Sequence, residues 1–299
     1  LYYASKVTFD FSKIPKINKN QGLILLTLFV LIGAIPFIIV LGPYINFKNL
    51  LLIDIYETRR IMAAHTNPIF AYLYSPFTKI IIPLIIVFSL EKRKWFFTII
   101  GVLLLVLFFL FGGHKTVYLG LILIIIFYMF SYTQIVKNIL KISITLAIIS
   151  IGLAFLGNDN LWILLFRRVH FIPALLDITY LDLFYDNYLY WSEGVLKAFF
   201  DSPYEMNHVN IIGDIYFKSP DMGANNGLIS DGYMNFGTIG VFLHILIIAF
   251  YFCILNNLNI KSRYFGLFML VIFSFISSSL TTVLLTHGAL FLLLTSILF

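Results

Sequence analysis

Long runs of apolar residues, separated by short charged segments, constrain this chain more than any other feature of its sequence. A helix needs about 20 apolar residues to cross the roughly 30 Å hydrocarbon core of a bilayer. By that measure the sequence predicts seven spans, and an eighth that begins near residue 287 and runs to the end. The seven spans are predicted at 22–42, 69–90, 95–112, 116–133, 143–157, 236–255 and 265–284.

The composition excludes an ordinary water-soluble fold. Hydrophobic residues make up 61% of the 299 residues and charged residues 11%, whereas soluble domains have about 45–50% and about 25%. The positive charges punctuate apolar runs instead of forming a basic face, so we expect no nucleic-acid partner. Because both Leu1 and Phe299 look like cropped ends, the second inside an apolar run, we expect a fragment of a longer protein. The sequence therefore predicts an all-α, polytopic membrane protein.

The distribution of basic residues predicts the topology, because cytoplasmic segments next to spans carry an excess of Lys and Arg. One set of connecting segments holds eleven basic residues and only two acids, Asp10 and Glu91, and we assign it to the cytoplasm. Its basic residues are Lys6, Lys13, Lys16, Lys19, Lys92, Arg93, Lys94, Lys137, Lys141, Lys261 and Arg263. The segments 43–68, 112–116 and 158–235 are then predicted on the outer side.

The longest outer segment, 158–235, is too apolar and too aromatic to be a disordered linker. We expect it to fold as amphipathic helices that lie on or dip into the membrane face. The predicted organisation is thus five transmembrane helices within 1–157, a large outer loop over 158–235 and C-terminal transmembrane helices over 236–299.

Two arginines of this loop, Arg167 and Arg168 in FRRVHFIPALL, stand among apolar neighbours. An unpaired guanidinium at the edge of hydrocarbon is costly, so something anionic is expected nearby. One interpretation is that the pair snorkels to lipid headgroups. The other is that it forms a fork for a diphosphate, whose oxygens match the planar donors of arginine.

Further cations are predicted on or near the same side. Arg59 and Arg60 lie in IYETRRIMAAH, where an ion pair with Glu57 is the simpler explanation. Lys79 falls about ten residues inside the second predicted span, where a lysine usually faces a cavity or a partner. Lys115 opens the fourth span behind two glycines, and snorkelling alone would explain it. Separated cations on one predicted face nevertheless suggest an anionic ligand.

A glycine-rich polar run, IIGDIYFKSPDMGANNGLISDGYMNFGTIG over 211–240, leads into a predicted span. It is either an ordinary loop with helix-capping residues or a surface for hydroxyl-rich ligands such as sugars. The side chains that favour sugar binding are Asn225, Asn226, Ser230, Asp231, Tyr233 and Asn235. Upstream, Tyr188, Tyr190 and Trp191 would stack on sugar rings or form an interfacial belt.

The sequence contains no metal signature. The histidines are scattered without an HExxH motif, and no DxD tract is present. These histidines are His65, His114, His170, His208, His244 and His287. We expect neither a metal nor a cofactor.

The order of FRRVHFIPALL, YLDLF, IIGDIYF and ANNGLISDGYMNFGTIGV resembles the long outer loop of the Wzy-type oligosaccharide repeat-unit polymerases of bacterial O-antigen and capsule pathways. The resemblance is close over 158–245 and loose upstream, where it includes GGHKT and the basic EKRK turn. These polymerases are similar to the O-antigen ligases. The resemblance implies a GT-C-like helical bundle in the bacterial inner (plasma) membrane, with its active site on the periplasmic or outer face.

The resemblance also implies a reaction and its partners. A growing glycan would pass from undecaprenyl diphosphate to the non-reducing-end sugar of a new lipid-linked repeat unit, without a metal. The implied partners are undecaprenyl-diphosphate-linked glycans, membrane lipids and a chain-length regulator protein.

Carried over residue by residue, the family's loop arginine falls on Arg168 or its neighbour Arg167, and the asparagine before the final glycine-rich run falls on Asn226. Ligase-like relatives place a histidine before that asparagine, whereas this chain has Asn225, which argues against a histidine base at that position.

Three residues are predicted to be catalytic. Arg168 would hold the leaving diphosphate, and Asp231 is the first choice for the base that takes the acceptor proton. His170 is the second choice, because three residues from Arg167 would put it on the same helical face. The predicted substrate-binding residues are Arg167, Arg60, Arg59, Lys115, Lys79, Asn225, Asn226 and Tyr233.

Two competing functions remain open at this stage. A lipid-linked oligosaccharide flippase or polysaccharide transporter would explain charges inside spans, although a long aromatic outer loop does not fit one. An O-antigen ligase would share the donor chemistry and differ in its acceptor.

Overall fold

The computed structural model describes residues 6–194, 196–197, 199–220 and 222–298. All regular secondary structure in this part of the chain is helical, which confirms the predicted all-α class. Five helices within the described residues are long and apolar enough to cross a membrane, consistent with a polytopic membrane protein. They are Lys19–Tyr44, Tyr72–Glu91, Trp95–Gly112, Tyr132–Phe155 and Leu228–Asn256. The predicted ranges 1–157, 158–235 and 287–299 also include residues 1–5, 195, 198, 221 and 299, which lie outside the described residues.

The chain forms two compact units. The amino-terminal unit comprises residues 6–132, 254–272 and 283–298, and the central unit comprises 133–253 and 273–282. The sequence-based division of the chain into membrane helices and an outer loop, with boundaries at residues 157 and 235, stays a prediction.

The amino-terminal unit is a bundle of apolar helices with an aromatic centre. Its helices are α1 (Lys19–Leu41), α2 (Ile55–His65), α3 (Pro68–Pro76), α4 (Ile82–Glu91), α5 (Trp95–Gly112) and α6 (Thr116–Met129). Phe37, Phe77 and Phe108 are at most 1% exposed. Phe77 packs edge-on against Phe108 with ring centroids 5.6 Å apart. A π-helical segment, Phe77–Ile81, joins α3 to α4 within the predicted span 69–90.

The central unit is built from the long loop and the helices that flank it. Its helices are α7 (Tyr132–Phe155), α8 (Asn160–Trp162), α9 (Ile172–Leu183), α10 (His208–Phe217) and α11 (Leu228–Asn256). A second π-helical segment, Ile163–Phe171, connects α8 to α9. Leu176, Tyr180, Phe184 and Ile212 form a buried core between α9 and α10. The loop is therefore partly helical, as predicted.

α11 contains a break at the point where the sequence predicts the sixth span to begin. Phe236 has φ −145° and Gly237 has φ +62° and ψ −150°, outside the helical region. Only glycine adopts such a conformation readily. A Cβ atom at Gly237 would also lie 2.6 Å from the Tyr188 hydroxyl. The helix continues on the other side of the break to Leu228.

Three other predicted spans differ from the helices observed. The fourth ends early, at Met129, because Phe130 adopts an extended conformation with φ −111°. The fifth begins earlier, at Tyr132, because the mixed polar and apolar residues before 143 continue the helix. The seventh ends at Ser277, the last residue of α12 (Phe265–Ser277). Serines compete for backbone hydrogen bonds, and three follow one another there. The final described helix is α13 (Ala289–Leu298).

We expect Gly266→Ala to destabilise the amino-terminal unit. A Cβ atom there would lie 2.9 Å from the Ile124 Cα and 3.0 Å from the Leu123 carbonyl oxygen, so backbone would have to move. Overpacking of this kind costs about 1–3 kcal/mol, and the thermal unfolding midpoint in detergent should fall. Gly152→Ala is the matched control, since nothing lies within 4 Å of its added Cβ. Equal midpoints for the two variants would contradict the close helix contact.

Candidate functional site

Asn226, which the resemblance singles out, belongs to a hydrogen-bonded cluster that joins α9 to the start of α11. Its Nδ2 donates to Asp177 Oδ1 at 2.8 Å and to the Pro173 carbonyl oxygen at 3.2 Å. The Ser230 hydroxyl donates to the same Asp177 oxygen at 2.6 Å. The cluster fixes the orientation of Asn226, while the neighbouring Asn225 is exposed.

Asp231, the first choice for the base, is only 3% exposed. Its Oδ2 accepts a hydrogen bond from the Leu280 amide at 2.6 Å, and its Oδ1 accepts from Asn235 Nδ2 at 3.1 Å. His244 Nε2 lies 3.8 Å from Oδ2. Since both oxygens already have protein partners, the geometry favours a positioning role for Asp231, and its role as a base stays a prediction.

A strained turn lies beside Asp231. Tyr190 and Trp191 have left-handed φ values of 51° and 57°, which cost about 1–3 kcal/mol each. The Asn235 side-chain oxygen holds this turn by accepting from the Trp191 amide at 2.7 Å. Trp191 Nε1 and Ser192 Oγ are buried without a hydrogen-bond partner. Strain together with unsatisfied buried polar atoms is typical of a binding site.

Glu193 and His208 form a closely bonded pair next to this turn. His208 Nδ1 lies 2.5 Å from Glu193 Oε2, and the His208 amide donates to both carboxylate oxygens at 3.1 Å. Tyr180 lies close by, and burial together with Asp231 and Glu193 raises the pKa of its hydroxyl. That hydroxyl donates to the Ala224 carbonyl oxygen at 2.9 Å.

The residues around Asp231 and the Glu193–His208 pair belong together, because the charge of Asp231 also acts on His208. We call this set the central polar group, and its members are Asp177, Tyr180, Trp191, Glu193, His208, Asn226, Ser230, Asp231, Asn235 and His244.

The predicted catalytic arginines lie on the surface of the central unit. Arg167 and Arg168 are exposed on the π-helical segment Ile163–Phe171. Arg167 lines an open groove of about 530 Å³ together with Asp159 and Trp162. The arginines are thus accessible to a lipid headgroup or to a ligand, as both interpretations of the sequence require.

The structural reason for choosing His170 does not hold. In a π-helix the backbone hydrogen bonds run from i to i+5, so three residues cover only roughly two thirds of a turn. Arg167 and His170 therefore do not share a helical face. His170 is exposed, and its ring lies 6.3 Å from that of Phe166.

Tyr233 is half-buried near the break in α11. Its ring lies edge-on to Tyr188 at 6.2 Å, and Trp191 packs edge-on against Phe236 at 4.9 Å. The aromatic residues that the sequence proposes for sugar stacking therefore already pack against each other around the break.

The amino-terminal unit contains a second polar group, which is built from cations. Lys79 lies on the π-helical segment Phe77–Ile81 and is within electrostatic range of His114 and His287. Arg59 also acts on His114. No carboxylate pairs with Lys79 among the described residues. We call Arg59, Lys79, His114 and His287 the basic group.

Burial, aided by Arg59 and Lys79, lowers the pKa of His114 to about 4. Two buried polar atoms, Ser75 Oγ four residues before Lys79 and Nδ1 of His287, have no hydrogen-bond partner. A lysine without a carboxylate partner in the described structure, beside unsatisfied polar atoms, suits an anion.

The remaining predicted cations are held differently. Arg59 donates from Nε and Nη2 to the Gly113 carbonyl oxygen at 3.2 and 3.1 Å. The suggested ion pair with Glu57 is not formed by Arg59 or Arg60 in the described structure. Arg60 and Lys115 are exposed. Since Arg167 and Arg168 belong to the central unit, each unit carries a candidate anion site of its own.

Sequence reasoning missed the histidines and Glu193. It set the histidines aside because their spacing fits no metal motif, yet His208 and His244 enter the central polar group and His114 and His287 the basic group. Among the described residues, no three His, Cys, Asp or Glu side chains are grouped to hold a metal. The sequence feature that could have indicated His114 is GGHKT, in which His114 stands next to the predicted binding residue Lys115.

We expect Asp231→Ala to lower the stability of the central unit. The variant leaves the Leu280 amide buried without its acceptor, and a buried donor left unsatisfied costs about 1–3 kcal/mol. It also removes one of the two acceptors of the Asn235 amide group, which keeps its bond to the carbonyl oxygen of residue 231. Thermal unfolding in detergent measures the effect, with Asp214→Ala, an exposed change on α10, as control. Equal stability of the two variants would rule out the positioning role.

We expect inorganic diphosphate to protonate His114 when it binds to the basic group. His114 is neutral above about pH 4, and a nearby anion raises the pKa of a histidine. At about pH 5–6 binding should therefore take up protons, seen calorimetrically as a binding heat that depends on buffer ionisation enthalpy. His114→Gln should remove this dependence, whereas His65→Gln, an exposed histidine on α2, should retain it. An identical dependence in the His114 variant would contradict the assignment.

Comparison with known proteins assigns no family to this chain. No family model, no curated protein and no solved structure matches it. The central polar group, the basic group and the sequence resemblance are therefore the features that point to a function.

Proposed function

We propose that this chain is a membrane glycosyltransferase that polymerises undecaprenyl-diphosphate-linked oligosaccharide repeat units into a surface polysaccharide. It would have a GT-C-like helical bundle in the bacterial plasma membrane and act on the periplasmic or outer face. The growing glycan would leave its lipid diphosphate and join the terminal sugar of a new lipid-linked repeat unit.

The observation that carries the proposal is the basic group. Lys79 stands in an apolar helical region, within electrostatic range of two histidines and without a carboxylate partner in the described part of the chain. A cation at such a position is costly unless an anion compensates it. The diphosphate of a lipid carrier is an anion that the membrane itself delivers to this depth.

The exposed arginines support a second anion site. Both substrates of a polymerase carry a lipid diphosphate, so a second set of cations could bind a second headgroup. Arg167 and Arg168 are exposed beside the open groove of the central unit, and their planar donors suit phosphate oxygens.

The central polar group supports carbohydrate binding. Asn226 is oriented by Asp177, and the exposed Asn225 stands beside it. The strained turn at Trp191 holds buried polar atoms that lack a hydrogen-bond partner. Amide groups suit sugar hydroxyls, because each amide both donates and accepts hydrogen bonds.

The proposed chemistry needs no group outside these sets. An acceptor hydroxyl oxygen attacks the anomeric carbon of the donor, and the bond from that carbon to the diphosphate oxygen breaks. The electron pair of that bond stays on the diphosphate, where fixed cations stabilise the growing charge. The acceptor proton passes to a base.

Removal of the gene tests the proposed function against its competitors. A strain that lacks a polymerase displays single repeat units on the final acceptor and no polymer. A strain that lacks a ligase displays no glycan on the acceptor and retains polymer on the lipid. A strain that lacks a flippase accumulates lipid-linked repeat units on the cytoplasmic side. Either of the last two outcomes would overturn the proposal.

We expect Lys79→Met to reduce polymer formation strongly. The change keeps an apolar stem of similar length and removes the charge that faces the diphosphate, and loss of one preorganised donor costs on the order of 10²-fold in rate. Polymer made by membranes with equal amounts of protein provides the measurement. Lys48→Met makes the same charge change at an exposed position and should leave polymer formation intact. Full-length polymer from the Lys79 variant would count against the basic group as a headgroup site.

A further inference from the structure

The transfer requires an acceptor for the hydroxyl proton, and three groups of the central unit qualify by chemistry. Asp231 is 3% exposed, with both oxygens occupied by protein donors. His170 is exposed and has no carboxylate partner among the described residues. His208 is both accessible, at 17% side-chain exposure, and held by a carboxylate.

The contact between His208 and Glu193 fixes the imidazole. Nδ1 lies 2.5 Å from Glu193 Oε2. With Nδ1 as the donor to the carboxylate, Nε2 is the ring nitrogen that can accept a proton. The described residues give Nε2 no hydrogen-bond partner, so its lone pair remains available. A base whose other nitrogen donates to an orienting carboxylate is the arrangement that proton-transfer sites use.

Helix capping alone does not explain the pair. The amino terminus of α10 already has a cap, because the Asn207 side chain accepts from the Val209 amide at 3.2 Å. Glu193 adds acceptors for the His208 amide at 3.1 Å, but the bond to the ring is not needed to end a helix. The ring contact orients the imidazole as well.

We propose that His208 is the catalytic base of the glycan transfer and that Glu193 is the residue that positions it; this inference rests on the proposed function. As the acceptor oxygen bonds to the anomeric carbon, its proton moves to His208 Nε2. The bond from that carbon to the diphosphate oxygen breaks, and its electron pair leaves with the lipid diphosphate. Glu193 stabilises the resulting imidazolium through Nδ1–H.

Other titratable groups surround the pair without competing for its role. Tyr180 of α9 faces the imidazole with ring centroids 6.0 Å apart, and its hydroxyl is engaged with Ala224. Asp231 of α11 acts on His208 only through its field. On the side of the loop, the Ser202 hydroxyl donates to Glu193 at 3.5 Å.

The test uses the full-length protein in proteoliposomes with lipid-linked repeat units extracted from the deletion strain. His208→Asn retains a donor in the position of Nδ1 but has no basic nitrogen. We expect its turnover to fall by about 10²–10⁴-fold, while binding of the lipid-linked substrate is unchanged. His65→Asn, an exposed histidine of α2, should behave as wild type.

Glu193→Gln separates positioning from folding. Glutamine still offers an oxygen to the His208 amide but removes the negative charge that stabilises the imidazolium. The base must be neutral to act, and loss of the nearby negative charge makes the imidazole harder to protonate. The acid limb of the pH–rate profile should therefore move to lower pH in this variant. A purely structural role would lower activity at every pH without moving the limb.

The outcomes separate the two proposals. Polymer formation by wild type together with near-normal turnover of His208→Asn overturns the base and leaves the proposed function standing. An unmoved acid limb in Glu193→Gln overturns the positioning role. Absence of any polymer from the wild-type protein overturns the proposed function and the base with it.

Discussion

Hydrocarbon supplies no hydrogen-bonding partners, and the architecture of this protein follows from that constraint. Every backbone group inside the bilayer must be satisfied within the chain, so the apolar runs become helices. The same constraint makes each charge at depth informative. Lys79 lies on a π-helical segment among buried residues such as Phe77 and Ile80. A π-helical turn changes the direction of side chains locally and is frequent at functional sites.

The central unit meets a different requirement, because its polar residues must be buried and yet remain usable. Asp177 and Asp231 achieve this through dense hydrogen bonding: each accepts from partners that are more than forty residues away in sequence. Both carboxylates therefore serve to hold the fold of the unit together. Glu193 and His208 retain partial exposure, which explains why chemistry is better assigned to that pair than to Asp231.

The sequence predicts the helical class because apolar runs of spanning length leave no other fold. It does not predict the break at Gly237, since the positive φ there depends on packing against Tyr188. Asn226 was identified through the resemblance, but its contact with Asp177 joins residues 49 positions apart. The sequence also does not predict the pairing of Glu193 with His208, because the two lie fifteen positions apart in a segment that is not a regular helix.

The Asp231 carboxylate has a thermodynamic consequence that reaches beyond its own hydrogen bonds. Through Asn235 it is linked to the turn at Trp191, and through the Leu280 amide it is linked to the segment that follows α12. Linkage is reciprocal. If a ligand that satisfies the donors at Trp191 strengthens the Leu280 contact, that contact strengthens binding of the ligand by an equal free energy. Protection of the Leu280 amide from hydrogen exchange would then report, from the far end of this chain of bonds, whether the site is occupied.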